Sequence, residues 1–192
     1  MVLPMVERLI GRPGLRLRHW PAWLPEGRAA ELFAALQDEV PWKQEAITLY
    51  GRRHLLPRLT CWMADPGCGY RYSGLANVIE PWSPAAAALR QALQELTGWR
   101  FNSLLLNRYR DGRDAMGWHA DDEPELGAEP VIASVSFGAE RNFRLRHRES
   151  KELQQISLGS GSLLVMSGLS QACWMHDVPK TKKFVVVEVM TE

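Results

Sequence analysis

Val131–Phe137 reads VIASVSF. It is followed by NFRLRH at Asn142–His147, LQQISL at Leu153–Leu158, LLVMS at Leu163–Ser167 and FVVVEVM at Phe184–Met190. Each run is strand-sized, and the turn formers Gly138, Gly159-Ser160-Gly161 and Gly168 punctuate the series. FNSLLLNRY at Phe101–Tyr109 opens it. Short strands joined by glycine-rich turns, with no helix between them, predict an antiparallel sandwich or barrel.

Upstream the period is helical. RAAELFAALQDEV, from Arg28 to Val40, sets Leu32, Phe33, Leu36 and Val40 on one face, and Pro41 stops it. A second helix is expected over Pro84–Thr97, with Ser83 as N-cap, Pro84 in the first helical position and Gly98 at the stop. Its buried face would be Leu89, Ala92, Leu93 and Leu96. Residues 42–82 are dense in Trp, Tyr, Gly and Pro, and short extended pieces such as Ala46–Tyr50 alternate there with turns. The first 25 residues, rich in Pro and Arg, read as an irregular leader. The fold class expected is α+β, mainly β. Residues 1–192 form one domain in this reading, with a helix-bearing part over about 1–98 and an all-β part over about 99–192.

Hydrophobic residues make up 46% of the 192 and charged residues 23%, values of a folded globular chain. They exclude a disordered tail, a collagen-like fibre and a coiled-coil rod. Lys plus Arg is 23 against 22 for Asp plus Glu, so the net charge of +1 does not point to a partner. Cys61, Cys68 and Cys173 form no C-x-x-C pair, which favours a reducing compartment over a disulfide scaffold. The sequence shows no secretory signal pattern and no apolar run of membrane-spanning length, so a cytoplasmic protein without a membrane partner is expected.

Local patterns carry more. His119 and Asp121 stand two apart in Trp118-His119-Ala120-Asp121, and in an extended segment such positions point to the same side. His176 is a third donor. Two imidazoles and one carboxylate form the facial triad that holds non-haem Fe(II) and leaves coordination positions open. Unrelated histidines are the alternative on spacing alone. The cysteine spacing does not suit a closed zinc site. Arg141, Arg144, Arg146 and Arg148 fall within eight residues. Arg144, Arg146 and Arg148 alternate onto one strand face, opposite Phe143, Leu145 and His147. That stripe suits phosphates, and a charged edge strand is the competing explanation.

Several segments occur in a telling order: Asn107-Arg108-Tyr109, then Gly117-Trp118-His119-Ala120-Asp121-Asp122-Glu123, then Ile132–Gly138, then Gly161–Met166, then His176-Asp177-Val178-Pro179-Lys180. Together they resemble the AlkB family of Fe(II)/2-oxoglutarate dioxygenases. The likeness is strongest over residues 101–183. Tyr70-Arg71-Tyr72-Ser73-Gly74 and Pro81-Trp82 extend it towards the branch that repairs double-stranded DNA.

The resemblance implies a double-stranded β-helix (jelly-roll) core with N-terminal helices and a nucleotide-recognition region. It implies Fe(II) held by His119, Asp121 and His176, and 2-oxoglutarate contacted by Asn107 and Tyr109. It further implies oxidative demethylation of bases such as 1-methyladenine and 3-methylcytosine, with release of formaldehyde, succinate and CO₂. Tyr70 and Tyr72 would grip the flipped base, Glu123 would contact its edge, and Tyr50 would enter the gap left in the stack. Arg52, Arg53 and Arg58 near that finger would join Arg144, Arg146 and Arg148 on the phosphates. The expected partner is DNA carrying alkylated bases, double-stranded, with RNA as the other nucleic acid and a monomer as the acting form.

One segment departs from the family pattern. Family members carry Arg-x-Asn-Leu-Thr-Phe-Arg after the second ligand histidine, and its first Arg pairs with 2-oxoglutarate. Here KTKKFVVVEVMTE (residues 180–192) has no arginine. Three accounts are open. The chain ends short of that strand and leaves a sheet edge unpaired; or Lys182 or Lys183 serves as anchor; or the protein recognises damaged DNA without catalysis.

Overall fold

The apolar runs pair into two facing sheets in the computed structural model of the chain, which describes residues 6–49, 51–68, 71–72, 75–76, 78–182 and 186–191. The N-terminal part contains β1 (Arg8–Arg12), β2 (Leu15–Trp20), α1 (Glu26–Glu39), β3 (Ala46–Leu49), β4 (Arg52–Leu55) and β5 (Leu59–Ala64). Three two-residue strands, β6 (Arg71–Tyr72), β7 (Leu75–Ala76) and β8 (Ile79–Glu80), lead to α2 (Pro84–Thr97). Then come β9 (Ser103–Tyr109), β10 (Met116–His119), β11 (Ile132–Gly138), β12 (Arg141–His147), β13 (Leu153–Leu158) and β14 (Ser162–Ser167). A short turn of helix, α3 (Ser170–Cys173), precedes β15 (Trp174–Val178) and β16 (Val186–Thr191).

The large sheet has eight strands in the order β1-β2-β14-β11-β16-β9-β5-β8, and the small sheet four, β10-β15-β12-β13. Their inner faces meet over Tyr109, Ile132, Leu164 and Met166 from the first and Phe143, Leu145, Leu158 and Val178 from the second. This is the jelly-roll expected. The outer face of the large sheet, with Leu104, Leu106, Val135, Phe137, Val187 and Val189, packs on Leu32 and Leu36 of α1 and on Leu89 and Leu93 of α2. β11 and β14 are buried on both faces, and their only polar side chains are serines: Ser134 and Ser136 in the first, Ser162 and Ser167 in the second. No helix among the described residues is long and apolar enough to cross a membrane.

α2 has the caps its sequence predicts. Ser83 Oγ accepts from the Ala86 amide at 3.3 Å, and Gly98 closes the helix at φ +77°. Ala85 and Ala86 join Leu89 and Leu93 in its buried face, while Ala92 and Leu96 are half-buried.

Two expectations are overturned. Over the described residues 6–25 the chain is not an irregular leader, because β1 and β2 form a hairpin and β2 pairs with β14. LRLRHW alternates, placing Leu15 and Leu17 inward, and Trp20 ends the strand 2% exposed. Gly14 makes the turn at φ +68°, where a Cβ would lie 2.6 Å from that of Cys173. The account with an unpaired edge also fails at the C-terminal strand: β16 is paired on both sides in the large sheet, between β11 and β9.

Candidate functional site

His119 ends β10 and His176 lies on β15, directly opposite it in the antiparallel register. Their rings meet edge to face with centroids 4.1 Å apart. Asp121 follows in the loop after β10, where Gln171 Oε1 accepts from its amide at 3.0 Å. Asp121 Oδ2 stands 3.4 Å from His176 Nε2, and Oδ1 stands 3.8 Å from His119 Nε2. One ligand atom from each residue can be chosen so that all three lie within 4.8 Å of one another.

His119 Nδ1 donates to the Gly117 carbonyl at 2.8 Å, so its Nε2 carries the lone pair. His119 Nε2, His176 Nε2 and Asp121 Oδ2 are buried and make no hydrogen bond. Burial pushes the His119 imidazolium down to about 4, and drives that of His176 well below its ordinary range. Both rings are therefore neutral ligands at neutral pH. Burial, with Glu123, Glu188 and Asp122 nearby, pushes the Asp121 carboxyl up. Three buried donors without partners, two neutral nitrogens and one acidic oxygen, fit a divalent cation.

A second polar cluster shares the inner face. Ser162, Ser136, Glu188, Asn107 and Thr60 are successive register partners across five strands, and all are buried. Ser134 Oγ donates to Glu188 Oε1 at 3.0 Å, and the Tyr109 hydroxyl donates to Oε2 at 3.0 Å. Arg58 Nε donates to Asn107 Oδ1 at 2.8 Å. Arg141, 4% exposed, lies 5.1 Å from the Tyr109 ring centroid and donates through Nη2 to the carbonyls of Asp114 and Pro179. Its Nε and Nη1 have no partner. The cavity lined by Tyr109, Arg141, Phe143 and Glu188 has a volume of about 10 Å³, the space of one water. Phe143 also stacks on His176 at 5.1 Å, which links the cluster to the triad.

The structure thus brings together His119, Asp121 and His176, and places Asn107 and Tyr109 on the cluster beside them. Glu123 Oε2 is buried without a partner two residues past Asp121. Tyr72 lies in β6, while Tyr50, Tyr70 and Lys183 fall outside the described residues. Lys182 is exposed. Arg52 and Arg53 are exposed on β4, in the hairpin with β3.

Arg58 is a correction. It is 4% exposed and held by Asn107, so it faces the interior and not a phosphate. The stripe needs qualifying too. Arg144, Arg146 and Arg148 are half-exposed, but Arg144 is paired bidentately with Asp177 (2.9 and 2.5 Å) and Arg148 with Asp122 (2.5 Å). Arg146 stacks 4.3 Å from the Trp118 ring centroid. Arg141 belongs to the interior. Its parity matches Phe143 and Leu145, a signal present in the sequence. Sequence reading missed Ser134, Ser136 and Glu188 as site residues, because only the strand register reveals their rung.

Residues 16–188 match the 2OG-Fe(II) oxygenase superfamily, which uses Fe(II) and 2-oxoglutarate. Alpha-ketoglutarate-dependent dioxygenase alkB homolog 3 of Homo sapiens is 39% identical over 171 residues, covering 84% of this chain and 59% of that protein. DNA oxidative demethylase ALKBH2 of Mus musculus is 37% identical over 175 residues, 85% of this chain and 73% of that protein. The chain spans about three fifths of the length of the first curated relatives it matches. The solved structure of OsALKBH1 shares the fold, with a TM-score of 0.63 over 96% of this chain and 99% of that one at 16% identity. Kinship at this level, over so much of the sequence and with the triad in place, makes the chain a member of the AlkB family of Fe(II)/2-oxoglutarate-dependent dioxygenases.

Proposed function

We propose that this protein is an oxidative demethylase of N-alkylated bases, such as 1-methyladenine and 3-methylcytosine, in DNA. The observation that carries the reading is the convergence of three buried, unpartnered ligand atoms on His119, Asp121 and His176. Bound Fe(II), with 2-oxoglutarate and O₂, supplies oxidation of an N-methyl carbon, and the products are formaldehyde, succinate, CO₂ and the restored base.

The chain's own residues supply position and charge. Gly117 fixes the His119 tautomer, and Gln171 holds the Asp121 backbone. Glu123 offers a buried carboxylate oxygen, suited to the cationic edge of 1-methyladenine or 3-methylcytosine. Tyr70 and Tyr72 would stack on the flipped base, and Tyr50 would fill its gap in the duplex. Arg146, with Arg52 and Arg53, would meet the phosphates. Arg144 and Arg148 would do so only in exchange for Asp177 and Asp122.

The test is formaldehyde release from methylated duplex, single-stranded DNA and RNA in the presence of Fe(II) and 2-oxoglutarate. Turnover of methylated duplex that is lost in His119→Ala is expected. Turnover that persists in His119→Ala contradicts the reading. Recognition of alkylated DNA without turnover is a second reading, favoured by one observation. The polar cluster beside the triad already contains a carboxylate, Glu188, which takes up the hydroxyls of Tyr109 and Ser134.

A further inference from the structure

We propose that Glu188 occupies a carboxylate seat beside the metal triad and competes there with the carboxylate of 2-oxoglutarate. This rests on the function proposed above. Hydroxyl donors and guanidinium groups are what recognise a carboxylate. Tyr109 and Ser134 provide the hydroxyls, and both are consumed by Glu188. Arg58 and Arg141 provide the positive charge acting on it. Arg141 keeps Nε and Nη1 unpartnered, although it is buried. A seat with two cations and two hydroxyl donors is built for an anion, and this chain fills it with its own side chain.

Geometry keeps Glu188 there. Val187 and Val189, flanking it on the opposite face, are fully buried against the helices, so β16 cannot turn the acid outward without exposing them. Glu188 also sits between Ser136 and Asn107 in the register. A tethered carboxylate has a high effective concentration at its own seat, so a free acid must displace it. The disagreement with the family is thus a sign reversal: an acid projects from the last strand where an anionic co-substrate needs a cation.

Glu188→Ala should empty the seat. Two readings test it, one without metal. In the metal-free protein, sodium acetate, compared with sodium chloride at equal ionic strength, should raise the Tm of Glu188→Ala by about 3 °C. The native chain and Glu188→Gln, whose seats are filled, should not respond. In the Mn(II)-loaded protein, calorimetry should show 2-oxoglutarate binding at least ~10-fold tighter to Glu188→Ala than to the native chain. Should the alanine variant not fold, Glu188→Ser leaves similar room and is read in the same way. Absence of the acetate-specific shift overturns the seat. An acetate shift with equal 2-oxoglutarate affinity in the two proteins overturns its assignment to the co-substrate, whereas 2-oxoglutarate that binds neither Mn(II)-loaded protein puts the fault with the function proposed above.

Discussion

The triad and the Glu188 cluster lie side by side within one jelly-roll and are linked through Phe143, yet they stand in opposite electrostatic states. The triad gathers two neutral imidazoles and a carboxylate whose ligand atoms have no partners, so its chemistry is completed only by a cation from outside. The cluster holds two hydroxyls on an acid from the chain itself, with the charges of Arg58 and Arg141 acting on it, so its anion is already supplied even though Arg141 Nε and Nη1 make no hydrogen bond. Buried polar atoms without partners are costly, and a native fold retains them where a ligand compensates. Satisfied polar networks instead rigidify and exclude. The first region is therefore open to its ligand by construction, and the second is closed to an anion by one side chain.

The contrast can be broken at several points. The largest effect expected is on stability at the closed cluster. Arg141→Ala removes two hydrogen bonds from a charged donor to the carbonyls of Asp114 and Pro179, together with the ring contact to Tyr109. A loss of about 3 kcal/mol in urea unfolding is expected. At the open site the same kind of change should act on affinity. Gln171→Ala frees the Asp121 backbone and should weaken divalent metal binding about 10-fold, at a cost of about 1–3 kcal/mol in metal-free stability for the buried amide left without a partner.

The smallest effect is a pH dependence. Burial raises the Glu188 carboxyl above its ordinary 4.5, against the opposing hydrogen bonds of Ser134 and Tyr109 and the charges of Arg58 and Arg141. The folded state then holds this proton when the unfolded chain has released it. Stability from this group is present below the ordinary pKa and is lost as pH rises from 4.5 through the folded value. Unfolding of Glu188→Gln should lack that component. Its stability relative to the native chain should increase with pH across this window, and parallel curves for the two proteins would contradict the assignment.

How much of this was legible depended on whether a signal was local. The caps of α2 are a matter of three residues, Ser83, Pro84 and Gly98, and the helix begins and ends where they predict. The His119-x-Asp121 spacing and His176 allowed a triad, with unrelated histidines as the alternative, and the family resemblance selected it. β10 and β15 were harder, since MGWH and WMHDV are short and mixed in character, and their pairing with each other, with β15 also paired to β12, makes them strands. The β1–β2 hairpin was hidden by the weight of Pro and Arg, although LRLRHW alternates. Glu188 could not be placed from its own sequence. A single acid within VVVEVM reads as a strand residue on an unspecified face, and only pairing with Ser136 and Asn107 assigns it to the interior.

The most direct test of the account is an anaerobic Fe(II) titration of the native chain and of His176→Ala, with circular dichroism to establish that both are folded. One equivalent of tightly bound Fe(II) in the native protein, with affinity reduced at least ~100-fold in the variant, is the predicted result. Equal Fe(II) binding by the two folded proteins would contradict the triad, and with it the proposed demethylase.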